Sequence, residues 1–189
     1  MYMNYHELSS HEILDRDYSI KLIERTGKSI VIAPHGGRIE PCTSKIANAI
    51  AASDISLYLF EGLKSGLNHK LHIKSTNFDE PLLANFLKSC DFSLTIHGLK
   101  DKNSLVYVGG LHPTYKEKIQ RSLGKSGFNA VIDTTNHSGS DINNICNGNR
   151  KMKGVQLEVT RGLRDKMSMD DHCLESFANS VRTSIKDII

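Results

Sequence analysis

The stretch Ser29-Ile30-Val31-Ile32-Ala33-Pro34-His35-Gly36-Gly37-Arg38-Ile39-Glu40 constrains the fold of this chain more than any other. Its apolar run at 30–33 is short, rich in β-branched residues and stopped by Pro34 and two glycines, the pattern of a buried strand that ends in a tight loop. Open α/β sheets carry their binding crevices outside the carboxyl ends of such strands. Gly36 and Gly37 permit backbone conformations closed to other residues, so His35 and Glu40 can turn toward one point. That point suits a metal ion.

Elements alternate along the rest of the chain. Residues 18–24 read as a strand, and Thr26-Gly27-Lys28 as a turn that pairs it with the following strand in a hairpin. Thr43 and Ser44 are cap candidates for a helix with Ile46, Ala47, Ile50 and Ala51 at helical spacing. Strands are expected at 57–60, at 70–74 with Leu71 and Ile73 on one face, at 92–98, 105–108, 130–132 and 155–159. Helices are expected at 81–89, 113–123 and 175–188. Residues 136–150, rich in Asn, Gly and Ser, read as a long surface loop with one helical turn at 142–146. The alternation predicts an α/β fold, a three-layer α/β/α sandwich around a mixed, mostly parallel sheet.

At 189 residues the chain suits one domain over 1–189, with the polar start at 1–16 loosely ordered. No apolar run approaches the roughly 20 residues of a membrane helix. The start also lacks the basic and apolar segments of a secretory signal, so a cytoplasmic location is expected, with any outside action following release by lysis. A net charge of +3 from 24 basic and 21 acidic residues, scattered along the chain, gives no nucleic-acid signature and mildly favours an anionic substrate. Cys42, Cys90, Cys146 and Cys173 show no CxxC spacing, which disfavours a cysteine zinc site, and free buried thiols are their ordinary reading.

A second strand exit, Ile96-His97-Gly98, repeats the first: apolar strand, His, Gly. Catalytic zinc takes three nitrogen or carboxylate ligands and keeps one position open, and His35, Glu40 and His97 are the right types. Neighbouring strands lie about 4.8 Å apart, so ligands leaving nearby strands at one edge can reach one ion. Each residue alone also has a plainer reading, a satisfied loop or core histidine, or a helix-entry carboxylate favoured by the helix dipole.

The segment Ala33-Pro34-His35-Gly36-Gly37-Arg38-Ile39-Glu40-Pro41, with Thr43-Ser44-Lys45-Ile46-Ala47 after it, resembles the signature of the phage and Bacillus-type poly-γ-glutamate hydrolases. Further blocks follow in the family's order: Leu57-Tyr58-Leu59-Phe60-Glu61-Gly62, Leu71-His72-Ile73 with Phe78-Asp79-Glu80-Pro81, Ile96-His97-Gly98, and Gly154-Val155-Gln156-Leu157-Glu158 with Thr160-Arg161-Gly162-Leu163-Arg164. The resemblance implies a zinc carboxypeptidase-like fold, Zn²⁺ as cofactor held by His35, Glu40 and His97, and Glu158 as general base in cleavage of γ-glutamyl amides within the polymer. It implies a phage-related, capsule-degrading hydrolase; a monomer is expected, and the charge and the lack of a long apolar run lead to the expectation of neither nucleic acid nor membrane as partner. Cys42 stands where the family is expected to show Gly, and Lys45 where it is expected to show an acid.

Every unit of that anionic polypeptide carries a free α-carboxylate, which guanidinium can hold through two parallel hydrogen bonds, and Arg161 and Arg164 are the best placed to do so. His72 belongs to a family-like block, although alternation also puts it on the outer face of a strand. Glu158 has a plainer reading too, as a strand carboxylate paired with Arg161 or Arg164. Two rival functions stay open at this stage: a zinc-dependent deacylase or amidase of small N-acyl amino acids, and a non-enzymatic protein that binds an anionic polymer on the same fold.

Overall fold

The computed structural model describes every residue except Asn136. Seven strands form one sheet: β1 (Tyr18–Ile23), β2 (Ser29–Gly37), β3 (Ser56–Gly62), β4 (Phe92–Leu99), β5 (Val106–Gly109), β6 (Ala130–Ile132) and β7 (Val155–Thr160). Their spatial order is β1-β3-β2-β4-β7-β5-β6. Four of the six pairings are parallel, and β1 with β3 and β5 with β7 are antiparallel. The sheet is therefore mixed and mostly parallel, as the alternation of elements implied.

Alternating side chains send the central strands into two cores. Val31, Ala33, Leu57, Leu59, Leu94 and Ile96 face one layer, built by α2 (Thr43–Ala51), α4 (Pro113–Lys125), α5 (Arg161–Met169) and α6 (Asp171–Ile185). Ile30, Ile32, Tyr58 and Phe60 face the other, closed by α1 (Tyr5–His11), α3 (Pro81–Leu87) and the apolar residues Leu71, Ile73 and Phe78 between them. Strands buried on both faces have to be apolar almost throughout, which is why the runs at 30–33 and 57–60 carry no charge. No helix among the described residues is long and apolar enough to cross a membrane.

Several local expectations are corrected. β1 does not form a hairpin with β2; it pairs antiparallel with β3, because β2 already has β3 and β4 on its two sides. Residues 70–74 are not a strand. Asn68–Leu71 is a 3-10 turn, and Leu71 and Ile73 fill the second core without any strand beside them. The start of the chain, expected to be loosely ordered, carries α1, capped by the Asn4 side chain accepting from Glu7 N–H and tied down by Tyr5 N–H donating to Asp79. The segment after β7 forms α5, which the sequence reading left without an element, and the closing helix begins at Asp171.

The long loop after β6 is held by asparagines. Asn147 is buried and uses its whole side-chain amide: Oδ1 accepts from Leu111 N–H at 3.1 Å and Gly154 N–H at 3.0 Å, while Nδ2 donates to Gly139 O at 2.9 Å and Asp141 O at 2.8 Å. Asn144 caps the short 3-10 turn Ile145–Asn147 and donates to Gln156 on β7. The expected helical turn thus lies three residues later, and position 136 of the expected loop lies outside the described residues. Asn147→Ala strands two donors and two acceptors in the interior. It should lower stability by about 2–4 kcal/mol, a Tm drop of roughly 5–15 °C for a chain of this size; a variant melting with the parent would contradict this account of the loop.

Candidate metal centre and active site

β2 is a central strand with a proline in it, which a regular ladder would not accept. The chain resolves this with a bulge: Ala33 pairs with Leu59 and Gly36 with Glu61, three steps on β2 against two on β3. Pro34 sits in the extra step, and the bulge turns His35 away from the layer that Ala33 faces, toward Ile73 and Phe78. Gly37 follows at φ +60°, where a Cβ would lie 2.6 Å from Gly62 O. The turn then closes with Glu40 N–H donating to His35 O at 2.9 Å. Neither Thr43 nor Ser44 caps α2. Thr43 Oγ1 donates to Glu40 O at 2.8 Å and Ser44 Oγ accepts from Gly37 N–H at 3.2 Å, so both brace the His35-to-Glu40 turn.

Cys42 occupies the cap position at φ +77°, left-handed backbone that glycine adopts freely and other residues do not. Its thiol is half-buried, and burial pushes it up and away from reactivity.

His97 leaves β4 and Glu158 lies beside it on β7, the two being direct register partners. His35 Nδ1 stands 3.2 Å from His97 Nδ1 and 3.4 Å from Glu40 Oε1, and His97 Nδ1 is 3.9 Å from Glu40 Oε2. The other nitrogen of His35, Nε2, faces Ile73 O at 2.6 Å and so carries the proton, leaving Nδ1 with a lone pair. Nε2 of His97 lies 3.4 Å from Ser75 Oγ, and with Nε2 donating to that hydroxyl its Nδ1 lone pair faces the same point. With both histidines carrying their proton on Nε2, two lone pairs and the carboxylate oxygens converge here, an arrangement that a cation satisfies. Donors about 2.0–2.1 Å from a tetrahedral ion sit about 3.4 Å from one another, which matches the two shorter spacings. These residues fit a metal.

His72 is also present. Its Nε2 is 3.4 Å from Glu40 Oε1, its Nδ1 is buried without a partner among the described residues, and His35, Glu40 and His72 also form a group able to hold an ion. Its ring, however, stacks on that of His35 with centroids 3.8 Å apart and 21° between planes. An imidazole binds an ion lying in its own plane, and two stacked planes do not meet at a point close to both nitrogens. His97, tilted 54° from His35, has no such conflict.

The electrostatics agree. Burial alone would push the Glu40 carboxyl up, but His35, His72 and His97 outweigh it and hold it well below the usual carboxylate range. Burial, with His35 adding to it, pushes the His97 imidazole down to about 3, so it stays neutral and able to bind. Burial and the neighbouring Glu40 carboxylate push Glu158 up to about 8. Gln156 Nε2 donates to Glu158 Oε1 at 3.3 Å and is itself fixed by Asn144 and by His137 O.

His35, Glu40, His72, His97 and Glu158 open into one cavity of about 800 Å³, lined also by Lys74, Lys100, His137, Arg161 and Arg164. Arg161 lies at the surface in an ion pair with Asp165 at 2.5 Å, whereas Arg164 is only 3% exposed. Sequence reading missed Ser75, Lys100 and Gln156. Ser75 opens the short 3-10 turn Ser75–Asn77 and Lys100 lies in an irregular loop, neither with a motif around it, and Gln156 was legible only as a neighbour of Glu158 on the same strand face.

Side chains able to hold a metal beside a carboxylate, at the carboxyl ends of adjacent strands, suit a metal-assisted hydrolase. The chain belongs to the poly-γ-glutamate hydrolase family, whose model matches residues 2–184. UPF0714 protein YmaC of Bacillus subtilis (strain 168) is 37% identical over 167 residues, 87% of this chain and 70% of YmaC. The corresponding matches cover 66% of YndL and 61% of the SPbeta prophage-derived YoqZ from the same organism, so the chain spans about two thirds of the length of these relatives. Among solved structures, a bacteriophage poly-γ-glutamate hydrolase superposes with a TM-score of 0.95 at 29% identity, covering 98% of this chain and 96% of that one. A zinc-free YndL superposes with a TM-score of 0.92 at 30% identity, covering 98% and 97%.

Two outcomes follow from the geometry. A divalent ion at 100 times its dissociation constant should add about 2.7 kcal/mol, raising Tm by roughly 5–10 °C. Chelator should reverse the rise, and His35→Ala should abolish it; an Ala variant that still responds to the ion would refute the ligand set. At Cys42, Gly should be tolerated better than the β-branched Val by at least about 1 kcal/mol, as chemical denaturation of the two variants would show.

Proposed function

We propose that this chain is a zinc-dependent hydrolase of γ-glutamyl amide bonds inside poly-γ-glutamate, with His35, Glu40 and His97 as metal ligands and Glu158 as general base. The observation that carries the reading is the convergence of two imidazole Nδ1 atoms and a carboxylate on one point in the cavity that also holds Glu158. Family membership supports the polymer as substrate. Zinc at this point supplies a Lewis acid for the amide carbonyl and lowers the pKa of water from about 9 for the aqueous ion toward about 7.

The chain's own groups do the rest. A divalent cation beside it would favour the ionised form of Glu158, whose carboxylate takes a proton from the attacking water and returns it to the amide nitrogen as that bond breaks, so the amine leaves neutral. A base positioned in this way contributes about 10²- to 10⁴-fold, or roughly 3–5.5 kcal/mol of barrier. Gln156 holds one oxygen of Glu158 and thereby fixes the direction in which the other points. Along the substrate, α-carboxylates recur on every unit, and Arg161, Lys74 and Lys100 place positive charge around the cavity to meet them. His72, one-third exposed and in reach of Glu40, lines the same cavity, where its imidazole is available to the substrate.

Purified protein loaded with zinc should shorten poly-γ-glutamate without releasing free glutamate at early times. Glu158→Gln should keep its zinc and lose at least about 10² in kcat. Preferential hydrolysis of small N-acyl-glutamates, with the polymer left intact, would overturn the substrate; full activity in Glu158→Gln would overturn the base.

A further inference from the structure

Arg164 sits in the first turn of α5 with a guanidinium that is almost wholly buried. A buried cation generally seeks a carboxylate. Arg164 instead gives its hydrogen bonds to backbone. Nε donates to Val159 O at 3.0 Å, Nη2 donates to Leu99 O at 3.0 Å, and Nη1 donates to Pro41 O. These three carbonyls come from three separate parts of the chain, and each is one or two residues beyond a residue of the site: Val159 follows Glu158, Pro41 follows Glu40, and Leu99 lies two past His97. The guanidinium also lies against Gly98, where a Cβ would stand 2.7 Å from Cζ. The N–H of that same glycine donates to Glu40 Oε2 at 2.8 Å.

We infer that Arg164 is a positioning residue: its planar fork pins the exits of β4 and β7 and the turn after β2 to one another, and so sets the distances among Glu40, His97 and Glu158. The inference rests on the metal-centre reading above and replaces the expectation that Arg164 grips a substrate carboxylate, since three of its five N–H groups are already committed to the protein. Lysine cannot take its place, because a single ammonium nitrogen cannot reach three carbonyls set around a plane. A misplacement of about 1 Å in a site of this kind costs on the order of 10²-fold in rate.

The test uses Arg164→Lys and Gly98→Ala. The second keeps the charge but pushes the guanidinium off its seat, so it probes the same contact if the first variant fails to fold. Zinc affinity is read by competition with a chromophoric chelator, geometry by the visible spectrum of the Co²⁺-substituted protein, and turnover by kcat and KM on poly-γ-glutamate. Both variants should lose about 10-fold or more in zinc affinity, change the cobalt spectrum, and lose kcat with KM within about twofold of the parent. Wild-type zinc affinity, spectrum and kcat with a raised KM would overturn the inference and return Arg164 to the substrate. The first two readouts need no turnover. A parent protein that binds zinc but leaves the polymer intact would therefore refute the substrate reading alone, while the Arg164 inference would still stand or fall on metal affinity.

Discussion

Two imidazole nitrogens and a carboxylate forced to within 3.2–3.9 Å of one another are the constraint on which the rest of this structure depends. Such a cluster is unfavourable by itself, and it persists because its members are fixed from outside. His35 is oriented by Ile73 O, Glu40 by Gly98 N–H and the turn hydrogen bond to His35 O, and His97 by its strand and by Ser75. Each brace comes from a different segment. The site is therefore a property of the closed fold and not of any one motif.

That explains the irregularities around it. The bulge at Pro34, the left-handed Gly37 and Cys42, and the use of Thr43 and Ser44 on the turn in place of a helix cap would each weaken an ordinary strand-to-helix connection. Together they carry Glu40 back over the end of β2 until it meets His35. Local regularity is given up where the site requires a side chain to point in a direction that a regular strand or helix would not supply.

How much of this was legible in the sequence follows the same division. β2 and β3 were readable as unbroken apolar runs buried on both faces, β4 and β7 as alternations of apolar with polar residues, and His35, Glu40 and His97 as residues at or just past the ends of such stretches. What could not be read was who stands beside whom. The turn at 26–28 permits a hairpin, and only the pairing of β2 with β3 and β4 excludes it. The alternation of Leu71 and Ile73 is real, since both are buried, but alternation marks a shared face and does not supply a partner strand. α5 offered only Leu163 and Met167 at helical spacing among polar residues, too little to show before the sheet it packs on is known. The bonds of Arg164 were invisible for the same reason, because the three carbonyls it meets are far apart in the chain.

Register is what finally makes the chemistry possible. His97 and Glu158 are partners across β4 and β7, so a slip of one residue between those strands would move Glu158 to the opposite face of the sheet and out of the cavity. The pairing is protected at both ends. Near the start of the two strands, Gly154 packs where a Cβ would collide with Cys146 O and with Ser93, so β7 can enter only at this position. At their end, Arg164 bonds Leu99 O and Val159 O together, one from each strand. A glycine that tolerates close approach and an arginine that spans two carbonyls thus hold one ladder in register, and the ladder sets Glu158 beside His97.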